Sequence, residues 1–172
     1  DDYIEIETSF TPLDLINTSA DMMISFSSNE PFFFSNKDID YITFDPQDYG
    51  YDFYSDILFT SKEMLKENPK TVENFYQASM QGWEYAYQFT DKTIDLILEK
   101  YNTQNKSKKA LQFEANTLRK LAFKDGVNFG DINYDRIKEI VNTYKLLQLV
   151  KKDGKITLND YIYNPEYKTR FL

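Results

Sequence analysis

Two periodicities divide the chain. Up to about residue 60, apolar residues alternate with polar ones or form short unbroken runs; beyond it they recur every three or four positions. "YIEIETSF" (residues 3–10) alternates as a half-buried strand does. Thr11-Pro12 then opens a short helical stretch holding Leu13 and Ile16 and ending near Thr18. "DMMISF" (residues 21–26) is a continuous apolar run suited to a buried strand. Pro31 follows at a first helical position, and "IDYITF" (39–44) and "YSDILFT" (54–60) are further strand candidates. Strand, helix, strand, helix, strand predicts an α/β fold with a parallel-type sheet.

The rest of the chain predicts a helical layer. Ser61 caps a short helix that ends at Asn68, and Asn68-Pro69 opens a longer one. In the longer helix Val72, Phe75, Tyr76, Ser79, Met80, Trp83 and Ala86 share a face, which makes Trp83 a core residue beside Val72 and Met80. Thr90 is the expected cap of a third helix, with Ile94, Ile97, Leu98 and Tyr101 inward. Leu111, Ala115, Leu118 and Ala122 mark a fourth. Ile137, Ile140, Val141, Tyr144 and Leu147 mark a fifth, with Asn133 as its N-cap. Lys106, Lys108 and Lys109 read as a solvated helix start, and the composition shift near Ser61 is the one candidate boundary.

Composition narrows the chemistry. The 172 residues are 41% hydrophobic and 17% aromatic, enough to build a core. The net charge of −8 repels phosphate backbones, so neither nucleic acid nor an anionic membrane surface is an expected partner. The chain has no cysteine, which excludes disulfides, thiolate metal sites and thiol nucleophiles. It has no histidine, which removes the Ser-His-Asp and Cys-His arrangements of hydrolases. No apolar run approaches the roughly 20 residues that span a bilayer. The first residue is Asp1 rather than methionine, which reads as a processed or truncated product.

Three places could carry binding chemistry. The run at 21–26 leads into Ser27, Ser28, Asn29 and Glu30, just before a helix start. Backbone donors there could meet an anion, and Asn29 and Glu30 could bond the edge of a heterocycle; capping that helix is the alternative role. Asp45, Asp48 and Asp52 offer oxygen ligands but lack the spacing of a calcium loop, so turn and capping roles are expected and no metal site is assigned. Tyr49 and Tyr51 flank Gly50, where either stacking on an aromatic ligand or simple packing would explain the rings.

The strings "NEPFFF", "DPQDYGYDFYSDILFTS", "NPKTVENFYQASMQGWEYAYQ", "ILEKYNTQNKSKKALQFEA" and "IVNTYKLLQLV" occur in this order. Together they resemble the thiamine-pyrimidine-precursor type of solute-binding protein, a family that also includes the fungal thiamine pyrimidine synthases. More narrowly, the chain is similar to versions fused as extracytoplasmic sensor domains to bacterial histidine kinases and diguanylate cyclases. The resemblance runs from about Phe10 to Leu149 and implies the C-terminal portion of a two-lobed periplasmic-binding-protein (type II) fold. Residues 1–52 would be the remainder of the second lobe plus the crossover, and 53–172 the closing, mostly helical part of the first. The fold would need further strands before Asp1, and a half-built version would cover its sheet edges by homodimerisation.

The resemblance also implies a small-molecule ligand, aromatic or pyrimidine-like, met by Ser27, Ser28, Asn29, Glu30, Tyr49, Tyr51 and Asp52. It implies location in the periplasm or on the extracytoplasmic face of a bacterial inner membrane, with a membrane-anchored output module as partner. The alternative role is a free solute-binding protein of an importer. The synthases of this family consume a histidine, bind pyridoxal phosphate and carry a cysteine-rich iron motif. With neither residue present, the expectation is a non-enzyme without cofactor.

Overall fold

The computed structural model describes residues 3–7, 11–17, 20–123, 129–150, 158, 161–163 and 165. Every regular element among them is helical. In chain order these are α1 (Leu13–Ile16), α2 (Glu30–Ser35), a 3-10 turn (Pro46–Tyr49), α3 (Lys62–Glu67), α4 (Pro69–Gln88), α5 (Thr90–Lys100), α6 (Lys108–Ala122) and α7 (Tyr134–Leu146).

The expected α/β fold with a parallel-type sheet is therefore corrected: no strand forms among the described residues. Alternation makes a segment fit for a sheet, but a strand exists only when a second segment accepts its backbone hydrogen bonds. The described parts of 3–10, 21–26, 39–44 and 54–60 find no such partner, and most of their apolar side chains are exposed. Ile24 is 100% exposed, and Ile4, Ile42 and Phe59 are nearly so. With no sheet among the described residues, the two-lobed architecture built on one is corrected with it.

The helices obey local rules. Ser61 accepts from the Met64 N–H at 3.0 Å and α3 closes at Asn68. Pro69 opens α4, where its missing N–H costs nothing. Ser107 caps α6 through the Ala110 N–H, and Asn133 caps α7 through the Arg136 N–H at 2.9 Å. Thr90 departs from expectation. It is the first residue of α5 rather than its cap, and its hydroxyl donates back to the carbonyls of Ala86 and Tyr87 at the end of α4.

The chain divides into two compact units. The first comprises Asp1–Ile42 and Ala86–Lys124. Among its described residues Phe34, Tyr87, Ile94 and Leu111 are buried, and α5 packs on α6. Rings meet at Phe32–Phe113 (5.6 Å), Phe34–Tyr41 (5.3 Å) and, edge to face, Tyr87–Phe123 (5.4 Å). Lys106, expected to be solvated, is instead largely covered and bonded to Glu114 at 2.7 Å, while Lys108 reaches Asp95 at 2.6 Å in the open. The Asp95 carboxylate raises the Lys108 pKa through that hydrogen bond.

The second unit comprises Thr43–Tyr85 and Asp125–Leu172. Among its described residues Phe129 is buried, and so are Tyr76, Met80 and Glu84 of α4. These positions of α4 follow one another by four, so the buried stripe is turned from the expected face. Trp83, expected in the core, is 48% exposed, and Phe75 is more so. The inward stripe admits Glu84 and leaves out the largest ring, which is why an apolarity count missed it. Gly130 lies close against this stripe at φ +84°, where a Cβ would stand 2.6 Å from the Met80 sulfur. The Tyr76 hydroxyl donates to the Gly130 carbonyl at 3.4 Å.

Candidate functional site

The seven candidate site residues fall into two groups, one in each unit. In the first unit, Ser27, Ser28 and Asn29 form the turn that enters α2. The Asn29 N–H donates to the Phe26 carbonyl at 2.9 Å, and the Phe32 N–H to the Asn29 carbonyl. The Asn29 side chain does not cap the helix. Glu30 folds its carboxylate back over the turn instead, accepting from the Phe26 N–H at 2.8 Å and the Asn29 amide at 3.0 Å. Both oxygens of Glu30 thus serve local structure. Ser27 and Asn29 stand exposed.

In the second unit the residues from Asp45 to Tyr54 build a compact knot. Asp45 accepts from the Gln47 N–H at 3.0 Å and so caps the 3-10 turn, the role its spacing predicted. Gly50 ends the turn at φ +84°, a left-handed conformation open to glycine at little cost. The Tyr51 N–H then returns to the Pro46 carbonyl at 2.9 Å. Tyr49 is largely exposed on this reversal and Tyr51 partly so. Tyr51 meets Phe53 edge to face at 6.2 Å, and Phe53 meets Tyr144 of α7 at 5.5 Å.

Asp52 is already engaged. Its carboxylate accepts from the Gln47 amide at 2.6 Å and from Arg136 Nη2 at 2.6 Å. Arg136 does more: Nη2 also donates to the Phe53 carbonyl at 2.9 Å, and Nε to the Asp52 carbonyl at 3.1 Å. The guanidinium lies 4.0 Å from the centre of the Tyr54 ring, and the Tyr54 hydroxyl accepts from the Asn133 N–H at 2.9 Å. Sequence reasoning missed Gln47, Tyr54 and Arg136. Arg136 lies more than 80 residues from its partners, and nothing in its own neighbourhood marks it as more than a surface helix residue.

Among the described residues no group of acidic side chains is arranged to hold a metal ion, and no helix is long and apolar enough to cross a membrane. No curated protein and no solved structure matches the chain. A family model does: residues 1–93, the stretch that holds all seven candidate residues, match the family described as NMT1/THI5 like. Members of this family are of the periplasmic solute-binding type, typically binding domains, although one namesake is a synthase. The chain belongs to the NMT1/THI5 like family.

Proposed function

We propose that this chain is an extracytoplasmic small-molecule-binding sensor domain of a membrane-anchored bacterial signalling protein, without enzymatic activity of its own. The family match over residues 1–93 carries the reading, since that family binds small solutes outside the cytoplasm. The ligand is a small aromatic or pyrimidine-like molecule. Each unit offers its own groups: in the second, the exposed rings of Tyr49 and Tyr51 supply flat faces for stacking, and in the first, Ser27, Ser28 and Asn29 supply hydrogen-bonding groups. Glu30 and Asp52 shape these two groups while retaining lone pairs for a ligand. The absence of histidine and cysteine from the sequence speaks against the synthase chemistry of the family. A sensor must also bind its ligand with different affinity in its two signalling states, because only that difference shifts their balance.

The reading is tested by a thermal-shift and calorimetric screen of aminopyrimidines, thiamine and other small heteroaromatics. A true ligand at about 100 times its dissociation constant stabilises by roughly 2.7 kcal/mol. Saturable binding that is lost in Tyr49→Ala or Tyr51→Ala supports the proposal; turnover of a bound compound overturns the non-enzymatic part. The transport alternative is separated genetically. Loss of a solute-dependent signalling response on deletion supports the sensor, and loss of solute uptake supports an importer subunit.

A further inference from the structure

We infer that Arg136 is a positioning residue for the binding segment, holding residues 45–54 in the shape that presents Tyr49 and Tyr51. This rests on the reading that those two tyrosines meet the ligand. Residues 43–60 form no strand, so they lack the backbone ladder that would normally hold an extended segment in place. Among the described residues, the hydrogen bonds that tie this stretch to a distant part of the chain all end on Arg136 or on the Asn133 N–H beside it. The anchor is thus concentrated at the first turn of α7.

The guanidinium suits this task. Its planar fork reaches three oxygens (the Asp52 carboxylate, the Asp52 carbonyl and the Phe53 carbonyl) while its face rests on Tyr54. A lysine ammonium is a point donor without a face to stack and cannot reproduce the set. Asp52 carries the constraint onward. The same carboxylate oxygen that meets Arg136 accepts from Gln47, inside the 3-10 turn, so the turn and the segment after Gly50 are drawn to one point. Tyr49 and Tyr51 lie between these two ends.

The ion pair is open to solvent, with side-chain exposures of 28% for Arg136 and 49% for Asp52. Pairs of that kind add little to global stability. What they fix is local order, and a ligand that finds its aromatic partners already ordered loses less entropy on binding. Arg136 should therefore weigh more on the order of 45–54, and on affinity, than on the melting temperature.

The test compares Arg136→Ala, Arg136→Lys, Asp52→Asn and the double variant Arg136→Ala/Asp52→Asn in the full chain. Amide hydrogen exchange is read at Gly50 and Tyr51, which are hydrogen-bonded within the knot, and in α5 as an internal reference. Each single variant should speed exchange at Gly50 and Tyr51 by about tenfold or more, leave α5 within about twofold, and not be rescued by lysine. The double variant should be no faster than the worse single one, because both remove the same link. Unchanged exchange at Gly50 and Tyr51, or an equal rise in α5, overturns the inference. Affinity for a hydroxymethyl-aminopyrimidine probe is measured alongside and should fall with Arg136→Ala while the melting temperature barely moves. A wild-type chain that ignores this probe and the wider heteroaromatic screen overturns the ligand-binding reading and its consequence for Arg136; exchange still decides the clamp by itself.

Discussion

Residues 3–60 are richer in large apolar side chains than residues 61–146, yet it is the later region that builds most of the buried core. The later region forms helices with side-chain caps at Ser61, Ser107 and Asn133 and buries a stripe of each unit's core. Among its described residues the earlier region contributes one buried side chain, Phe34 on the short helix α2, and leaves Ile4, Ile24, Ile42 and Phe59 in the open. A helix satisfies its backbone from within its own segment, so a local pattern suffices to form it. An extended segment needs a second segment at the right register, and no pattern within it can supply one.

The sharpest way to break this comparison is to truncate one isoleucine in each region. Ile94 in α5 is 2% exposed, and Ile94→Ala should cost about 2–5 kcal/mol, the range for emptying a core aliphatic site. Ile24 is fully exposed, and Ile24→Ala should stay within about 0.5 kcal/mol. Urea denaturation of both variants gives the answer. An Ile24→Ala loss comparable to that of Ile94→Ala would mean that 21–26 is buried in solution, and the contrast would collapse.

A smaller effect should come from Gly130. An alanine there must adopt a left-handed φ and bring its Cβ to 2.6 Å from the Met80 sulfur and 3.1 Å from the Tyr76 hydroxyl. Gly130→Ala should cost about 1–3 kcal/mol by combined strain and overpacking. Trimming Met80 in the same chain should recover the contact part of the loss and leave the backbone part. Full recovery would show that φ carries no penalty there.

The sequence was most legible where a single residue type performs a single local task. Ser61, Pro69 and Asn133 mark helix starts because a side-chain oxygen or a missing N–H does the same work in any context. Asp45 and Gly50 likewise announce their turn. The inward face of α4 was less legible, since Tyr76, Met80 and Glu84 line it while Trp83 does not. Its direction is decided by what packs against it, including the close approach of Gly130. The sheet was misread because an alternating or unbroken apolar run is compatible with a strand but not sufficient for one. The seven candidate site residues are a sequence reading, and the clamp that the structure shows on one of them was not legible there. Arg136 reaches Asp52 across 84 positions, and only folding brings the two together.

Caps give the next step down in size. Ser61→Ala, Ser107→Ala and Asn133→Ala should each cost about 1 kcal/mol, the usual loss when an N-terminal helix donor is left without its side-chain acceptor. Thr90→Ala should cost only a few tenths of a kcal/mol, because its hydroxyl bonds carbonyls of the preceding turn rather than freeing a helix start. Thermal melts of the four variants rank them. A Thr90→Ala loss equal to that of Ser107→Ala would restore Thr90 as the cap of α5.

The gentlest probe of the helical region is pH, applied to its two buried tyrosines. Burial raises the Tyr87 pKa above the ordinary 10.0, with Arg119 pulling the other way. Burial also raises the Tyr76 pKa, reinforced by the negative charges of Asp131 and Glu73. A raised pKa in the folded state means that the native chain holds these protons more tightly than the unfolded chain does. The resulting stabilisation is complete below the unfolded value of 10.0 and is lost as pH rises through the folded values above it. These two phenols should therefore leave stability flat from neutrality to pH 9, and their contribution should decline above pH 10. Denaturation midpoints measured across that range, with phenolate absorbance followed in parallel, should show the phenols ionising as the fold is lost. Tyr87→Phe and Tyr76→Phe remove the protons while keeping the rings, so each should flatten part of the decline. Equally steep profiles in both variants would place the alkaline transition on other groups and detach it from the core of α4.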